Sequence, residues 1–503
     1  MLPCTGADML YSASSPPRLI CRGGLAPNDL CLTTISYLCS MIPNLSETIC
    51  AIATPPGTGA IAVVRLSGPK SHTILESIFS PAKKADSYPE LRHSYYGEIV
   101  DGNEVIDDAI VVFYKNPGSY TGEDAAEISC HGSLFIQNRL LQLLISKGAR
   151  MAEPGEFSLR AFVNGKMDLL QAEAVDDIIR SRTGAAHKLA VKQMRGDYSK
   201  KLSVLRKQLV DLTALMELEI DFSEEDVEFA DRSRLRETCA ELVNEVTLLA
   251  DSFKAGNVLK HGIPVAIVGE PNVGKSTLLN KILREERSIV SDIPGTTRDF
   301  IEDTLTVGNN TFRFIDTAGL RTTTDSIESA GVERTLVKAS EASVVLLLFD
   351  AADCEEDRIQ SGIEELKNRI DDFDDKKLIL VINKIDLLVN APKHLRELLE
   401  YDVVFISAKR DENISELMEK LTSAVSISEN TPDIVLTNVR HYEAFSVIGS
   451  LLQQAIDHIN SGMPQDLTSS FLHQALHHIG LITGEVSNED VLDSIFRNFC
   501  IGK

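Results

Sequence analysis

The spacing of apolar residues changes character several times along the chain. A short apolar stretch at Ile49 is followed by the turn Thr54-Pro-Pro-Gly-Thr-Gly59 and then by Ala60–Gly68, a run that predicts a buried strand with Arg65 near its end. Asp108–Tyr114 predicts a second strand, followed by a Gly-rich loop. A third strand is expected around Ala126–Cys130 and a helix from Ser133 to Lys147, which together make an α+β domain. From Pro154 to about Lys260 the period becomes helical, as in Leu169, Leu170, Ala174 and Ile178, and later Leu202, Leu205, Leu209 and Leu212. Strand and helix text then alternates from Pro264 to about Val425. Val265–Val268, Phe312–Ile315, Ser343–Phe349, Leu378–Ile382 and Val403–Ile406 predict a mostly parallel, doubly wound sheet. After Thr431-Pro432 helical spacing returns in Tyr442–Ile459 and Phe471–Ile479.

Helical text on both sides of an α/β unit predicts a discontinuous helical domain into which that unit is inserted. The expected layout is an α+β domain over residues 48–164, a helical part over 165–260, an α/β domain over 261–428 and a second helical part over 429–503. Residues 1–40 fit none of these and read as a poorly structured extension ahead of a natural start at Met41, or as an organelle-targeting segment. They are too poor in arginine for a typical transit peptide and lack the apolar core of a signal peptide.

Composition narrows the function. With 50 Lys+Arg against 74 Asp+Glu in 503 residues, the net charge of -24 excludes a chain that coats nucleic acid through charge alone. Any nucleic-acid contact must be local or shared with a partner. Nine cysteines, four of them (Cys4, Cys21, Cys31, Cys39) in the first forty residues and none in a CxxC pair, speak against a disulfide framework or a tetrathiolate zinc site and for a reducing compartment. No apolar run approaches the ~18 to 20 residues of a membrane span, so a cytoplasmic protein is expected. Eight acids and no base between Glu217 and Asp231 read as a solvated helix end rather than a metal site.

The strongest motif is Gly269-Glu-Pro-Asn-Val-Gly274-Lys275-Ser276-Thr277, which follows an apolar strand and opens a Leu-rich helix. Such a loop (Asn272, Val273, Gly274) receives phosphate on backbone N–H groups, Lys275 supplies a cation to the β and γ phosphates, and the Ser276 hydroxyl joins a Mg2+ shell. Asp316-Thr317-Ala318-Gly319 closes a later strand, where Asp316 can reach magnesium through water and the Gly319 amide can sense a γ-phosphate. Asn383-Lys384-Ile385-Asp386 ends another, and Asp386 can accept two hydrogen bonds from guanine N1–H and its 2-amino group, donors that adenine lacks. Ser407-Ala408-Lys409 suits the guanine carbonyl and ring face. Gly295-Thr296-Thr297-Arg298-Asp299 provides Thr297 as a switch threonine for magnesium and the γ-phosphate. The motifs at Gly269, Asp316, Asn383 and Ser407, four in the order a GTPase requires, predict guanine specificity, and Thr297 between them predicts switching. Leu320 stands where Ras-type proteins place a water-orienting glutamine, so hydrolysis needs another residue, an ion or a partner; Asp325, Glu328 and Glu333 are the nearby acids.

The chain resembles the tRNA wobble-uridine modification GTPases of the MnmE or TrmE family from about Thr48 to Lys503. The resemblance rests on Pro55-Pro-Gly with Arg65-Leu-Ser-Gly68, Ser119-Tyr-Thr-Gly-Glu-Asp124, Pro154-Gly-Glu-Phe with Arg160-Ala-Phe-Val-Asn-Gly-Lys-Met-Asp168, the GTPase motifs and the terminal Phe499-Cys-Ile-Gly-Lys503. It implies a homodimer joined through N-terminal domains that bind a formylated tetrahydrofolate such as 5-formyltetrahydrofolate, with Ras-like G domains that meet when K+ and GTP are bound. It also implies a FAD-dependent partner of the MnmG or GidA type, with which the complex adds an aminomethyl-type group to carbon 5 of the wobble uridine. Carried over by position, the K+ ligands would be Asn272, Ser291, Ile293 and Thr296, and Glu328 would be the catalytic acid acting through water. Ser291 stands where threonine is common in the family. The folate site would take Arg65, Glu127, Lys166 and Lys503, cations for a glutamate tail and a carboxylate for a pterin edge. Cys500 is either a buried apolar filler or a reactive thiol near folate and uridine. The reading from another class is a ribosome- or assembly-associated switch GTPase without covalent chemistry, against which the Arg65, Lys166 and Cys500–Lys503 text speaks.

Overall fold

The computed structural model describes residues 46–83, 89–221, 232–287, 303–307, 310–315, 339–370, 372–388, 400–424, 435–461, 465–486, 489–497, 499 and 502. Residues from Ser46 onward form one compact unit with two sheets and a helical layer. No helix among the described residues is long and apolar enough to cross a membrane.

The first sheet has seven strands, β1 (Ile49–Ile52), β2 (Ile61–Ser67), β3 (Phe79–Pro81), β4 (Ser94–Asp101), β5 (Glu104–Tyr114), β6 (Ala125–His131) and β7 (Arg150–Met151), in the order β3-β4-β5-β6-β2-β1-β7. All neighbours are antiparallel except β1 and β7. Alternate residues on one face, among them Val64, Leu66, Val111, Phe113 and Ile128, are buried under α1 (Ser71–Ile78) and α2 (Leu134–Ser146). That period-2 burial leaves the other face partly open, as an antiparallel sheet allows. The strand β4 has the same alternation, Tyr95, Gly97 and Ile99 inward, but its run of Ser, Tyr, Gly and Glu lacks the apolar density that marks its neighbours. β5 also begins earlier than Asp108, because Glu104, Val105 and Asp107 pair with β4 although two of the three are charged.

The second sheet runs β13-β12-β11-β8-β10-β9, with β8 (Ile263–Gly269), β9 (Asp303–Val307), β10 (Asn310–Ile315), β11 (Val344–Asp350), β12 (Lys377–Asn383) and β13 (Asp402–Phe405). Five strands are parallel, and β9 adds an antiparallel edge to β10. Both faces are covered, so successive residues of β11 enter two different cores. Val344, Leu346 and Leu348 pack with α8 (Lys275–Arg287) and α10 (Ile414–Ala424), whereas Val345, Leu347 and Phe349 pack with α9 (Glu356–Arg369). Burial on both sides is why these strands read as unbroken apolar runs. The parallel strands β8, β11 and β12 end together at Gly269, Asp350 and Asn383, which gathers their following loops on one edge.

Around these sheets lie α3 (Glu156–Val163), α4 (Leu169–Arg180), α5 (Gly184–Met194), α6 (Asp197–Asp221), α7 (Arg232–His261), α11 (Val439–Ser461), α12 (Gln465–Thr483) and α13 (Glu489–Phe496). α4 opens with a capping box in which Asp168 accepts from the Gln171 amide (2.8 Å) while Gln171 Oε1 accepts from the Asp168 amide (3.0 Å). Leu202, Leu205, Leu209 and Leu212 of α6, Leu242 and Val246 of α7, Phe445, Ile448 and Leu452 of α11, and Leu472 and Ile479 of α12 form one apolar cluster. Residues on either side of the second sheet in sequence therefore share a core.

Candidate functional sites

The loop after β8 bends through two left-handed residues, Asn272 (φ 62°) and Gly274 (φ 100°), before α8 begins at Lys275. A Cβ at Gly274 would lie 2.3 Å from Asn383 Nδ2, so only glycine lets the end of β12 approach this closely. Asn383 uses that approach as a staple. Its Nδ2 donates to Val273 O (2.8 Å), and its Oδ1 accepts from the Ala408 amide (3.0 Å). One buried side chain thus fixes the phosphate loop against the loop after β13. Lys275 Nζ donates to Gly269 O (2.8 Å) and Glu270 O (2.7 Å), which holds the ammonium over the loop, and burial lowers its pKa from the ordinary lysine value. Ser276 and Thr277 occupy the first turn of α8, whose N-terminal amides and dipole favour an anion.

The base side is equally built. Asp386 Oδ1 accepts from Ser407 Oγ (2.7 Å), and that hydrogen bond, with help from Arg410 and Lys409, holds the carboxyl below its usual pKa. Lys384, itself left-handed (φ 66°), donates to Asp350 Oδ2 (2.7 Å) at the end of β11. Ser407 is buried and exchanges backbone hydrogen bonds with Glu412 (3.1 Å each), closing the loop that carries Ala408 and Lys409. An ionised, oriented Asp386 is complementary to a base edge that presents two donors.

A second site lies on the first sheet, in a cavity of about 160 Å³ lined by Arg65, Tyr114, Gly118, Ser119, Tyr120, Thr121, Ala125 and Glu127. Arg65 and Glu127 are directly opposite on β2 and β6, and Arg65 Nε donates to Glu127 Oε1 at 2.9 Å. The guanidinium also lies 5.2 Å from the Tyr120 ring centroid and 5.7 Å from that of Phe157. Tyr114 Oη donates to Glu127 Oε2 (3.3 Å); burial, then the neighbouring carboxylate, raises the phenol pKa and keeps it a donor. Lys166 Nζ donates to Pro117 O (2.8 Å), next to the lining loop. From the far end of the sequence, Gly502 (φ 96°) packs so closely on β1 that a Cβ would lie 2.3 Å from Ile52 O, and its own carbonyl accepts from Arg65 Nη1 (3.4 Å). A cation, a carboxylate and two phenol rings around one cavity fit a planar heteroaromatic ligand that carries both donors and an anionic group.

Two family models match this chain: the GTP-binding protein TrmE N-terminus over residues 48–166, and the MnmE helical domain over residues 169–500. The tRNA modification GTPase MnmE of Bacteroides fragilis is 47% identical over 470 residues, covering 91% of this chain and 99% of that protein. The chain belongs to the MnmE family of tRNA modification GTPases. The MnmE of Bacteroides thetaiotaomicron is 48% identical over 468 residues, again with 91% and 99% covered. Among solved structures, the FeoB G-domain from Methanococcus jannaschii is 22% identical, covers 32% of this chain and 96% of its own, and has a TM-score of 0.23. Family and site together describe a GTP hydrolase of multidomain α+β and α/β architecture.

Of the residues expected to act in an MnmE-type protein, the structure brings Asn272, Val273, Gly274, Lys275, Ser276 and Thr277 together with Asn383, Lys384, Asp386, Ser407, Ala408 and Lys409, and Arg65 together with Glu127 and the Lys166 segment. Ser291, Ile293, Thr296, Thr297, Asp316, Thr317, Ala318, Gly319, Glu328, Cys500 and Lys503 lie outside the described residues. Tyr114 and Tyr120 were missed as cavity residues, although Tyr114 ends a predicted strand and Tyr120 lies in a quoted motif. The network beneath the cavity was missed too. Arg160 is fully buried and pairs with Glu156 (2.9 Å) and Glu123 (3.1 Å), and Glu123 accepts from Ser67 (2.7 Å), which contacts Thr121 (2.6 Å) in the cavity wall. A buried guanidinium with two carboxylates fixes α3 to the lining loop.

Helix α4 carries a further buried carboxylate. Glu173 Oε1 accepts from Arg440 Nη2 (2.9 Å) and Asn438 Nδ2 (3.3 Å), and Glu173 Oε2 lies 3.0 Å from His441 Nε2. Burial alone would raise its pKa, but His441 and Arg440 outweigh it and bring it down to about 2. Lys260, near the end of α7, pairs with Asp177 at 2.8 Å. α4 thereby grips the chain both just before β8 and at the start of α11.

Proposed function

We propose that this chain hydrolyses GTP in a K+-dependent manner and, with a FAD-dependent partner of the MnmG type, modifies carbon 5 of the wobble uridine of tRNA using a tetrahydrofolate one-carbon donor. The single observation that carries the GTP half is the Asn383 staple, which ties the phosphate loop to the loop that positions Asp386 and Ser407. Lys275 and the first-turn amides of α8 hold the phosphates, and Ser276 with Thr297 holds Mg2+, which supplies positive charge to the transferring phosphoryl group. Asn272, Ser291, Ile293 and Thr296 hold K+, Asp316 and Gly319 report the γ-phosphate, and Glu328 orients the attacking water.

The folate half is supported by the cavity on the first sheet. Glu127 accepts from the pterin edge, Arg65 and Lys166 receive carboxylates of the glutamate tail, and Lys503 and Cys500, neighbours in sequence of the Gly502 that reaches Arg65, are further candidates to act on the donor. Residues 48–164 form the folate-binding and dimerisation domain, 165–260 with 429–503 the helical domain, and 261–428 the G domain. The active species is a homodimer that joins the flavoprotein as a heterotetramer in the cytoplasm.

The test is reconstitution with the flavoprotein, tRNA, GTP and 5-formyltetrahydrofolate or methylenetetrahydrofolate, read by mass spectrometry of the wobble nucleoside and by phosphate release. The expected result is modified uridine and faster hydrolysis in K+ than in Na+ at equal ionic strength. Equal rates in the two salts would refute the K+ step, and GTP turnover without any uridine product would favour a switch GTPase that performs no covalent chemistry.

A further inference from the structure

Between Arg180 and Lys207 the sequence holds nine Lys and Arg and one acid, Asp197, in a chain whose net charge is -24. Helix geometry places five of these nine cations on two rows that face away from the core. On α5 the buried stripe is Ala190 and Gln193, so Lys188, Lys192 and Arg195, at i, i+4 and i+7, lie on the opposite side. On α6, Leu202, Leu205, Leu209 and Leu212 face the core, and Lys200 and Lys207 share the opposite, exposed row with Ser203 and Val204. Each row is about 10 Å long, from seven residues at the helical rise. The two meet at the corner of Arg195 and Gly196 that joins the helices.

Several cations of the segment are already answered. Arg180 pairs with Asp176 (2.7 Å), Lys200 with Asp197 (3.4 Å), Arg206 with Glu485 (2.7 Å), Lys201 with Glu245, and Arg182 donates to the Thr304 hydroxyl. Lys188, Arg195 and Lys207 are exposed and meet no carboxylate among the described residues. Acids supply almost three-fifths of the chain's 124 charged side chains, the 50 Lys+Arg against 74 Asp+Glu, so a run of nine cations with a single acid is a departure from its own pattern.

We propose that the solvent faces of α5 and the first turns of α6 are a docking surface for the phosphodiester backbone of the substrate tRNA. This rests on the tRNA reading above and adds to it the place on this chain where RNA is held. Phosphates repeat along a strand and release counterions when cations replace them, so spaced flexible lysines suffice. A protein partner is the poorer fit, because protein interfaces are depleted in Lys and anchored by aromatic residues, and the segment 184–196 contains no Phe, Tyr or Trp. The acidic remainder of the chain repels RNA elsewhere and confines it to this face.

The experiment measures binding of fluorescently labelled tRNA transcript to the full chain by anisotropy between 50 and 200 mM KCl, for the wild type and for the triple variant K188E/R195E/K207E. Losing three phosphate contacts lowers the log–log salt slope by about 2 to 3 and weakens binding at 50 mM salt by roughly 30-fold or more. The charge-keeping variant K188R/K207R retains wild-type slope and affinity. GTP hydrolysis without RNA stays at the wild-type rate in both variants, which shows that the fold is intact. Wild-type affinity and slope in the triple charge-reversal variant, or no salt-dependent tRNA binding by the wild type, overturns the proposal. Uridine modification by the wild-type chain with its flavoprotein partner is scored separately. Its absence defeats the tRNA-modification reading while leaving the binding result to judge the surface, and its presence alongside an unaffected charge-reversal variant defeats the surface alone.

Discussion

Replacing Glu173 with glutamine removes one charge from the middle of the helical layer and leaves the shape almost unchanged. The carboxylate is 7% exposed and touches Arg440, Asn438 and His441, all of which follow the second sheet in sequence. Its pKa falls from an ordinary 4.5 to about 2 in the fold. At 1.36 kcal/mol per unit, that depression corresponds to a stabilisation on the order of 3 kcal/mol, within the roughly 3–5 kcal/mol for breaking a buried ion pair. Because the folded pKa is the lower one, this contribution is fully present above about pH 4.5 and is lost as pH falls through about 2. Glu173→Gln is therefore expected to speed amide hydrogen exchange in α4 and in the first turns of α11 by about 100-fold at pH 7. Peptides from the first sheet, which do not share the contact, serve as the internal control. The chain has no tryptophan, so exchange read by mass spectrometry is a better local probe than fluorescence. At pH 3 the difference between the two proteins shrinks to less than about half its value at pH 7. Protection that is unchanged at pH 7, or a difference as large at pH 3 as at pH 7, would refute the reasoning.

Three other substitutions test the two sites. Asp386→Asn exchanges an acceptor for a group that can also donate, so GTP affinity should fall by about 100-fold or more while xanthosine triphosphate gains; competition binding with the two nucleotides reads the switch, and an unchanged preference for GTP would contradict the base assignment. Gly274→Ala places a methyl 2.3 Å from Asn383 Nδ2 at a left-handed position, and a strain of about 1–3 kcal/mol should weaken a fluorescent guanine nucleotide by about 10- to 100-fold without unfolding the first sheet; full affinity would show that the staple is dispensable. Arg65→Ala should abolish measurable 5-formyltetrahydrofolate binding in calorimetry while GTP turnover persists, and undiminished folate affinity would remove the cavity from the folate reading.

The parallel sheet was legible because strands buried on both faces must be apolar throughout, and all five predicted runs appear as β8, β10, β11, β12 and β13. β9 and β4 were not legible: β9 is a five-residue edge strand, Asp-Thr-Leu-Thr-Val, too short to show a period, and β4 spends one of its three buried positions on Gly97 between Tyr95 and Ile99. The GTP motifs could be read because phosphate and guanine recognition fix both residue type and short spacing. What they hid was the work of Asn383, whose two partners lie 110 and 25 residues away. The cavity was visible only through resemblance, since Arg65 and Glu127 meet across paired strands 62 residues apart and no local spacing marks such a pair. The charge clamp of Glu173 had no sequence signature at all, and composition concealed the basic rows by averaging them into an acidic chain.

The apolar cluster shared by α6, α7, α11 and α12 has a consequence for biosynthesis. Glu173 and Arg440 are separated by 267 residues, a length that a ribosome adds in about 13 to 50 seconds at ~5 to 20 residues per second. Throughout that interval the leucine face of the emerging α6 has no α11 or α12 to cover it. The second sheet, whose own contacts lie within the intervening stretch, can close first, and the chain beyond α10 then meets α7 shortly before β8, where the Leu436 amide donates to Ser252 Oγ (3.0 Å). The GTP-binding domain thus acts in the nascent chain as the loop that returns the missing helices to their partners, so a mutation that slows its folding would first show itself as aggregation of the helices around it.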